Sequence, residues 1–383
     1  MDRHTLCWRG PLVAVRRGVG ALACLALIAA AGAAAAPKAA PDYLFNDSHL
    51  HLTNYVQKGT DIHRYLEIMG DKVGRSTLFG IPLQQTWSYA NSGDFAPTYY
   101  LQTDAPLYYY SFTDAYIARV YQALPKAQQA RLDPMITGFN PADMYGVDHI
   151  RRVLELFPGV FSGIGEFTIH KEFVSSKVAG ETASLTNPAL DRILDFAGEA
   201  GLAVILHSDI DMPFAKAGTE PVYLKQMIEL LRRHPNTAII WAHIGLGRVV
   251  HPSQTQASAS GETERSSAYQ AIVERLLADS TLRHVSFDIS WDEVAKYAVA
   301  SPESIRRVAQ IFNSAPDRFL FGTDNVAPAD QDTQLRVFHL WDPVWALLTP
   351  DASLKIRKGN YERIFNAART RVRAWEKANV KPL

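Results

Sequence analysis

Asp47-Ser48-His49-Leu50-His51 closes a short apolar run, Tyr43-Leu44-Phe45-Asn46, so two imidazoles two residues apart project from the same side of a strand end. That geometry suits two ligands on one metal ion. The pattern then recurs along the chain. Leu202–His207, Thr237–His243 and Arg318–Asp324 are strand-like runs that each end in a ligand-type residue, and Phe161–Glu166 ends in a carboxylate. A lone His-x-His is a weak sign, because paired histidines also arise on surface strands. Five apolar strands that all end in a metal-competent group are hard to explain as separately satisfied core residues.

The periodicity predicts eight strands: Tyr43–Asn46, Ser76–Pro82, Leu132–Phe139, Phe161–Glu166, Leu202–His207, Ala238–His243, Val285–Ile289 and Phe319–Gly322. Helical patterns over Pro188–Ala200, Pro221–His234, Ala268–Asp279 and Pro302–Asn313 separate the later ones. Asn187-Pro188 and Ser301-Pro302-Glu303 each place a capping residue before a first-turn proline. Strand alternating with helix makes this an α/β chain of parallel βα units. An open doubly wound sheet gives the same alternation, but ligand endings on strands one, four, five, six and eight favour a closed ring. The expected architecture is therefore a (β/α)8 TIM barrel, a single domain over residues 41–383, with its chemistry at the C-terminal strand ends.

Two segments exceed a minimal barrel. Gln84–Tyr116, after strand two, is an insertion rich in aromatic residues, among them Trp87, Tyr99, Tyr100 and Tyr109. Such a loop either packs onto the barrel or a second subunit of a homo-oligomer, or forms a substrate-stacking lid in which Trp87 touches substrate. Gly247–Ala268, rich in Ser, Thr, Gln and Gly, is expected to be a mobile loop at the same face.

The N-terminal 36 residues differ from the rest. Arg3, Arg9, Arg16 and Arg17 precede Ala21–Ala29, an apolar stretch too short to span a bilayer, and an alanine-rich tract follows. Residues 1–36 read as a secretory signal peptide cleaved near Ala35 or Ala36, which implies a periplasmic or secreted protein with no membrane attachment after cleavage. Cys7 and Cys24 both lie in that segment, so cysteine is neither ligand nor nucleophile in the mature chain. Without the leader's four basic and one acidic residues, 35 basic groups face 38 acidic ones, a net charge of −3. No basic run interleaves with aromatics, which argues against a nucleic-acid partner and for a small-molecule substrate.

Imidazole and carboxylate donors without thiolate suit zinc first, and also manganese, iron or cobalt. The strand-end residues resemble those of the amidohydrolase superfamily, in its amidohydrolase-related branch of metal-dependent TIM-barrel hydrolases and decarboxylases. The matching positions are His49 and His51, Glu166, His207, His243 and Asp324, and Ile356–Phe365 resembles the family's closing helix. The resemblance implies one or two ions. With two, His49, His51 and Asp324 bind the first, His207 and His243 the second, and Glu166 bridges. With one, His207 joins His49, His51 and Asp324, and His243 acts as acid, base or carbonyl polariser. In either case Asp324 takes the proton of the attacking water. Beyond the ligands, His170 and Arg248 are candidate substrate contacts, Arg248 through its fork of donors. The function implied is hydrolysis of a small organic ester, lactone or amide. The alternatives are non-oxidative decarboxylation of an aromatic or unsaturated acid, and a barrel that binds ligand without catalysis.

Overall fold

The computed structural model describes residues 42–54, 58–83, 86–87, 101–102, 106–171, 178, 183–212, 220–247 and 259–381. The leader and Arg248 lie outside the described residues, as do the side chain of Trp87 and most of the aromatic insertion. Among the described residues no helix is long and apolar enough to cross a membrane.

Eight parallel strands follow one another around a sheet in sequence order. They are β1 (Phe45–Asp47), β2 (Val73–Leu78), β3 (Leu132–Ile136), β4 (Gly163–His170), β5 (Ala203–Ser208), β6 (Ile239–Trp241), β7 (Val285–Asp288) and β8 (Phe319–Leu320). The ring closes just beyond the last strand. Ser48 donates through both its amide and its hydroxyl to Phe321 O (3.1 and 3.0 Å), Asp324 N–H donates to His49 O (2.8 Å), and Asn325–Val326 pairs in parallel with Leu50–His51. The fold is the expected TIM barrel.

Two apolar layers explain which side chains reach the interior. Val204 and Leu206, Ile239 and Trp241, and Val285, Phe287 and Ile289 belong to the large core between strands and helices. Ala203, Ile205, Met135, Ile240 and Leu320 form a second cluster inside the ring, closed by Tyr361 and Phe365 of the C-terminal helix Asn360–Asn379. Side chains alternate along a strand, so the inward set 203, 205 delivers His207 to the interior, and the outward set 285, 287, 289 leaves Asp288 and Ser290 inward. At the opposite end of the barrel, buried Asp133 ties the closing helix in place. It accepts from Tyr361 Oη (2.7 Å), Arg369 Nε (2.5 Å) and Arg75 Nη2 (2.8 Å).

Strand ends differ from the sequence reading where packing overrides local pattern. β2 begins three residues early at Val73, and β4 runs on to His170 rather than stopping at Glu166. The caps are as predicted: Asn187 accepts from Ala189 N–H and Ser301 from Ser304 N–H. The expectation of a mobile loop over Gly247–Ala268 is corrected in its second half. A helix covers Ala259–Ala278. Burial of Val273 and Leu276 stabilises its C-terminal half, and propagation of a nucleated helix into polar residues is far easier than nucleation.

Candidate metal centre

Parity alone would turn four of the six candidate ligands the wrong way: on β1, Phe45 faces outward in the large core, and His49 and His51 turn inward beyond a register shift after Phe45. On β4, Ile164 faces outward, so a regular strand would send Glu166 outward too. Instead the β4–β5 register slips between Ile164 and Phe167, and Gly165 sits there at φ +108°. This irregularity rotates Glu166 inward and Phe167 into the outer core. Only glycine fits the position, because a Cβ on Gly165 would lie 2.1 Å from Ile205 O. On β6, His243 follows inward-facing Ala242 and would point away. Its left-handed backbone (φ 55°, ψ 16°) brings it back. Asp324 (φ 55°) and Trp291 (φ 80°) also have positive φ at the same face. Such non-glycine residues cost on the order of 1–3 kcal/mol each and concentrate at functional sites.

The result is a buried knot of imidazoles and carboxylates. Nε2 of His49 lies 3.6 Å from Glu166 Oε2 and 3.4 Å from Asp324 Oδ1. Nε2 of His51 lies 3.3 Å and 3.2 Å from the same two oxygens. His243 Nε2 stands 3.5 Å from Glu166 Oε1 and 4.0 Å from Asp324 Oδ2. Among the described residues, His49, His51 and Asp324 form one group able to hold an ion, and His49, Glu166 and His243 another. The edge of Phe79 underlies both His49 and His51, at ring distances of 5.0 and 5.3 Å.

Hydrogen bonds behind the knot set which ring nitrogen faces it. His49 Nδ1 is 2.6 Å from Asp288 Oδ2, and His243 Nδ1 is 3.0 Å from Ser290 Oγ and 3.3 Å from Ser290 O. Each imidazole thus carries its proton on Nδ1 and turns the Nε2 lone pair inward, the arrangement in which outer partners orient a metal-binding histidine. Nε2 of His49 and of His243 is buried with no hydrogen-bond partner. Asp47, also buried, locks the β1–β8 seam by accepting from Thr323 N–H and Oγ1, His49 N–H and Gln334 Nε2.

These residues fit a divalent metal. Lone pairs and carboxylate oxygens facing one another without a donor repel unless a cation lies between them. A tetrahedral ion with bonds of about 2.1 Å needs ligand atoms about 3.4 Å apart, and the separations around His49 and His51 are 3.2 to 3.6 Å. Burial alone would raise the Asp324 carboxyl, but His49 and His51 beside it hold it well below the usual carboxylate range. Burial lowers the His243 imidazole, keeping it neutral.

His207 reaches the interior but is engaged differently. Its Nδ1 is 2.6 Å from Glu166 Oε1 and its Nε2 3.0 Å from Asp209 Oδ1, so both nitrogens are spoken for. The structure therefore brings together His49, His51, Glu166, His243 and Asp324, with His207 holding Glu166 from behind. His170, at the end of β4, stacks on Tyr223 at a centroid distance of 3.6 Å, and burial pushes its imidazole down to about 4. Asp288 stands at the end of β7 with its carboxylate on His49. The usable signal was its inward parity at a strand end, the criterion that selects His207. Beside His51 and Glu166 opens a cleft, partly open to solvent, lined by Ile81, Leu83, Tyr109, Thr168, Val178 and Ala183.

An amidohydrolase family model matches residues 47–367. No curated protein matches the chain. Among solved structures, 4-oxalomesaconate hydratase from Rhodopseudomonas palustris is 15% identical, with a TM-score of 0.47 and coverage of 87% of this chain and 99% of that one. Dihydroorotase from Campylobacter jejuni is 12% identical, with a TM-score of 0.45 and 84% of each chain covered. For 5-carboxyvanillate decarboxylase from Sphingomonas paucimobilis the identity is 14%, the TM-score 0.38 and the coverage 67% and 71%. The family match spans every candidate ligand from His49 to Asp324. The chain belongs to the amidohydrolase family and is an enzyme of that metal-dependent superfamily.

Proposed function

We propose that this enzyme hydrolyses a small organic ester, lactone or amide with one divalent ion, zinc in the first instance, held by His49, His51 and Asp324 with Glu166 as the fourth donor. The observation that carries this reading is the position of Asp324. One of its oxygens stands 3.4 and 3.2 Å from the paired imidazoles while the other turns toward neutral His243. When bound, the ion lowers the pKa of a water toward about 7 and polarises the substrate carbonyl.

The protein's own groups then move the proton. Asp324, held ionised, accepts it at Oδ2 as the water oxygen bonds to the carbonyl carbon. Collapse of the tetrahedral adduct breaks the bond from that carbon to the alkoxide oxygen or amine nitrogen, and Asp324 returns the proton to the departing atom. His243 Nε2, a neutral acceptor with its Nδ1 proton fixed by Ser290, orients the water. His207, between Asp209 and Glu166, keeps the Glu166 carboxylate aimed inward. A single ion accords with the engagement of both His207 nitrogens and with the sharing of His49 by the two groups able to hold an ion among the described residues. The leader supports export, and we place the mature enzyme in the periplasm or outside the cell.

The test is a screen of neutral and charged esters, lactones and amides before and after chelation. Turnover lost on chelation, restored by zinc, and abolished in Asp324→Asn supports hydrolysis. Release of carbon dioxide from an aromatic acid without hydrolysis of any of the screened substrates refutes it.

A further inference from the structure

The cleft beside the metal centre carries information about what the substrate looks like. One end is made by His51 and Glu166, where the reaction is placed. The other is a small apolar cluster separate from the barrel cores. Leu83 and Leu107 are buried there, with Tyr109 and Val178 packed against them. Two independent loops build that wall, one after β2 and one after β4, and they are joined by a parallel bridge between Leu107 and Val178. Tyr110 N–H donates to Pro82 O, and Ile81 N–H donates to Thr53 Oγ1 at 2.7 Å, which fastens the first loop to the β1 side of the ring. The wall is therefore tied to the same strand ends that carry the ligands.

Its chemistry is one-sided. Glu166 is the only formally charged group among the described residues that line the cleft. Beyond the metal centre, the polar side chains among the described lining residues are Thr168 and Tyr109. Burial raises the Tyr109 phenol far above its usual value, so it remains a hydrogen-bond donor throughout the range in which the protein works. A substrate carboxylate against Leu83 and Val178 would lose its hydration without gaining a cation from the described residues of that wall. An uncharged ring or branched chain would bury apolar surface instead. The cleft is open to solvent on one side and has its carbonyl-binding end at His51.

We infer that this cleft is the specificity pocket, and that it selects a neutral substrate whose scissile carbonyl bears one ring or a short branched hydrocarbon group. Leu83 and Val178 contact that group, and the Tyr109 hydroxyl donates to an uncharged oxygen on it. The placement of the carbonyl rests on the hydrolase reading above, while the preference for a neutral group rests on the wall alone.

The experiment is titration calorimetry on the full zinc-loaded protein with two matched probes, benzamide and 4-carboxybenzamide, alongside turnover of the corresponding phenyl esters. Wild type is expected to bind benzamide at least about tenfold more tightly, the scale on which an apolar pocket discriminates. Leu83→Lys is expected to reverse the order, and Val178→Lys, at a half-buried position, provides the same test if Leu83→Lys does not fold. Equal or tighter binding of 4-carboxybenzamide by wild type overturns the inference, as does failure of both probes to bind. Preference for benzamide with no hydrolysis of any ester refutes the proposed reaction and leaves the pocket assignment standing. Hydrolysis with preference for the carboxylated ester does the reverse.

Discussion

Asp288→Asn is the substitution whose consequence can be worked furthest from the geometry. Asp288 is fully buried and both of its oxygens accept, Oδ1 from Ser290 N–H at 2.7 Å and Oδ2 from His49 Nδ1–H at 2.6 Å. Asparagine has nearly the same volume, so no cavity opens. It offers only one acceptor, however, and its amide nitrogen must then face one of two donors. If the oxygen stays on Ser290, the amide protons meet His49 Nδ1, which can accept only by moving its own proton to Nε2. The nitrogen aimed at the metal is then blocked. If the amide turns over, the Ser290 amide is stranded and the loop after β7 that holds His243 is disturbed. Either way the expected loss in metal affinity is about 10–100-fold, the usual range for a partner behind a ligand histidine, or about 1.4–2.7 kcal/mol. Competition against a chromophoric chelator at pH 7.5 measures it, with circular dichroism to confirm the fold. Ser290→Ala supplies a contrast, because the Ser290 backbone oxygen still accepts from His243 Nδ1 at 3.3 Å. Its expected loss is below the tenfold end of the same range. Unchanged affinity in a folded Asp288→Asn protein would refute the assignment of the His49 proton and with it the orientation of the centre.

Other predictions address the fold and its pH dependence. Gly165→Ala places a Cβ 2.1 Å from Ile205 O at a φ of +108°, so a loss of at least about 3 kcal/mol in urea unfolding, or failure to fold, is expected. Stability equal to wild type would show that the β4 irregularity does not need glycine. Asp133→Ala strands Arg75, Arg369 and the Tyr361 hydroxyl at the bottom of the barrel, and about 3–5 kcal/mol should be lost without change in metal affinity. His170 takes up its proton near pH 4 when folded against an ordinary value of 6.5, so the unfolded chain binds more protons between those limits. Its contribution is complete above about pH 6.5 and is lost as pH falls toward 4, on the order of 2 kcal/mol once partial exposure is allowed for. In His170→Phe the fall in stability between pH 7.5 and 5.0 should be shallower by about 1 kcal/mol, the part of that contribution lost by pH 5.0, and an identical slope contradicts the assignment. N-terminal sequencing of protein recovered from the periplasm should find a chain beginning just after Ala35 or Ala36; an uncleaved, cell-retained chain argues against export.

How much could be read in advance depends on whether a regular strand already points a residue correctly. His207 obeys simple alternation from Ala203 and Ile205, so both its existence and its facing were legible; His49 and His51 lie beyond a register shift after Phe45 and Asp324 takes a left-handed backbone, so their place at strand ends was legible but not their facing. Glu166 and His243 were identified by position, yet their inward facing comes from the Gly165 irregularity and from a left-handed histidine, neither of which has a periodic signature. The division of labour between His207 and Glu166 was not legible either. It depends on a 2.6 Å contact between residues 41 positions apart. Asp288 carried the right parity but no pattern distinguishing a ligand's partner from a loop cap. The wall of the cleft was hidden because Leu83, Tyr109 and Val178 meet only through the pairing of two loops. In the helix from Ala259, packing of Val273 and Leu276 outweighed a composition that reads as loop.

Metal analysis of the protein purified without added metal, in wild type and in His49→Ala and Glu166→Ala, tests the central claim most directly. The account predicts one divalent ion per chain in wild type, loss of that ion in folded His49→Ala, and weakened retention in Glu166→Ala. Two ions per chain would contradict the single centre and return His207 to the ligand set. Full metal content in His49→Ala, or no uptake by wild type even after exposure to zinc, would contradict the metal centre itself.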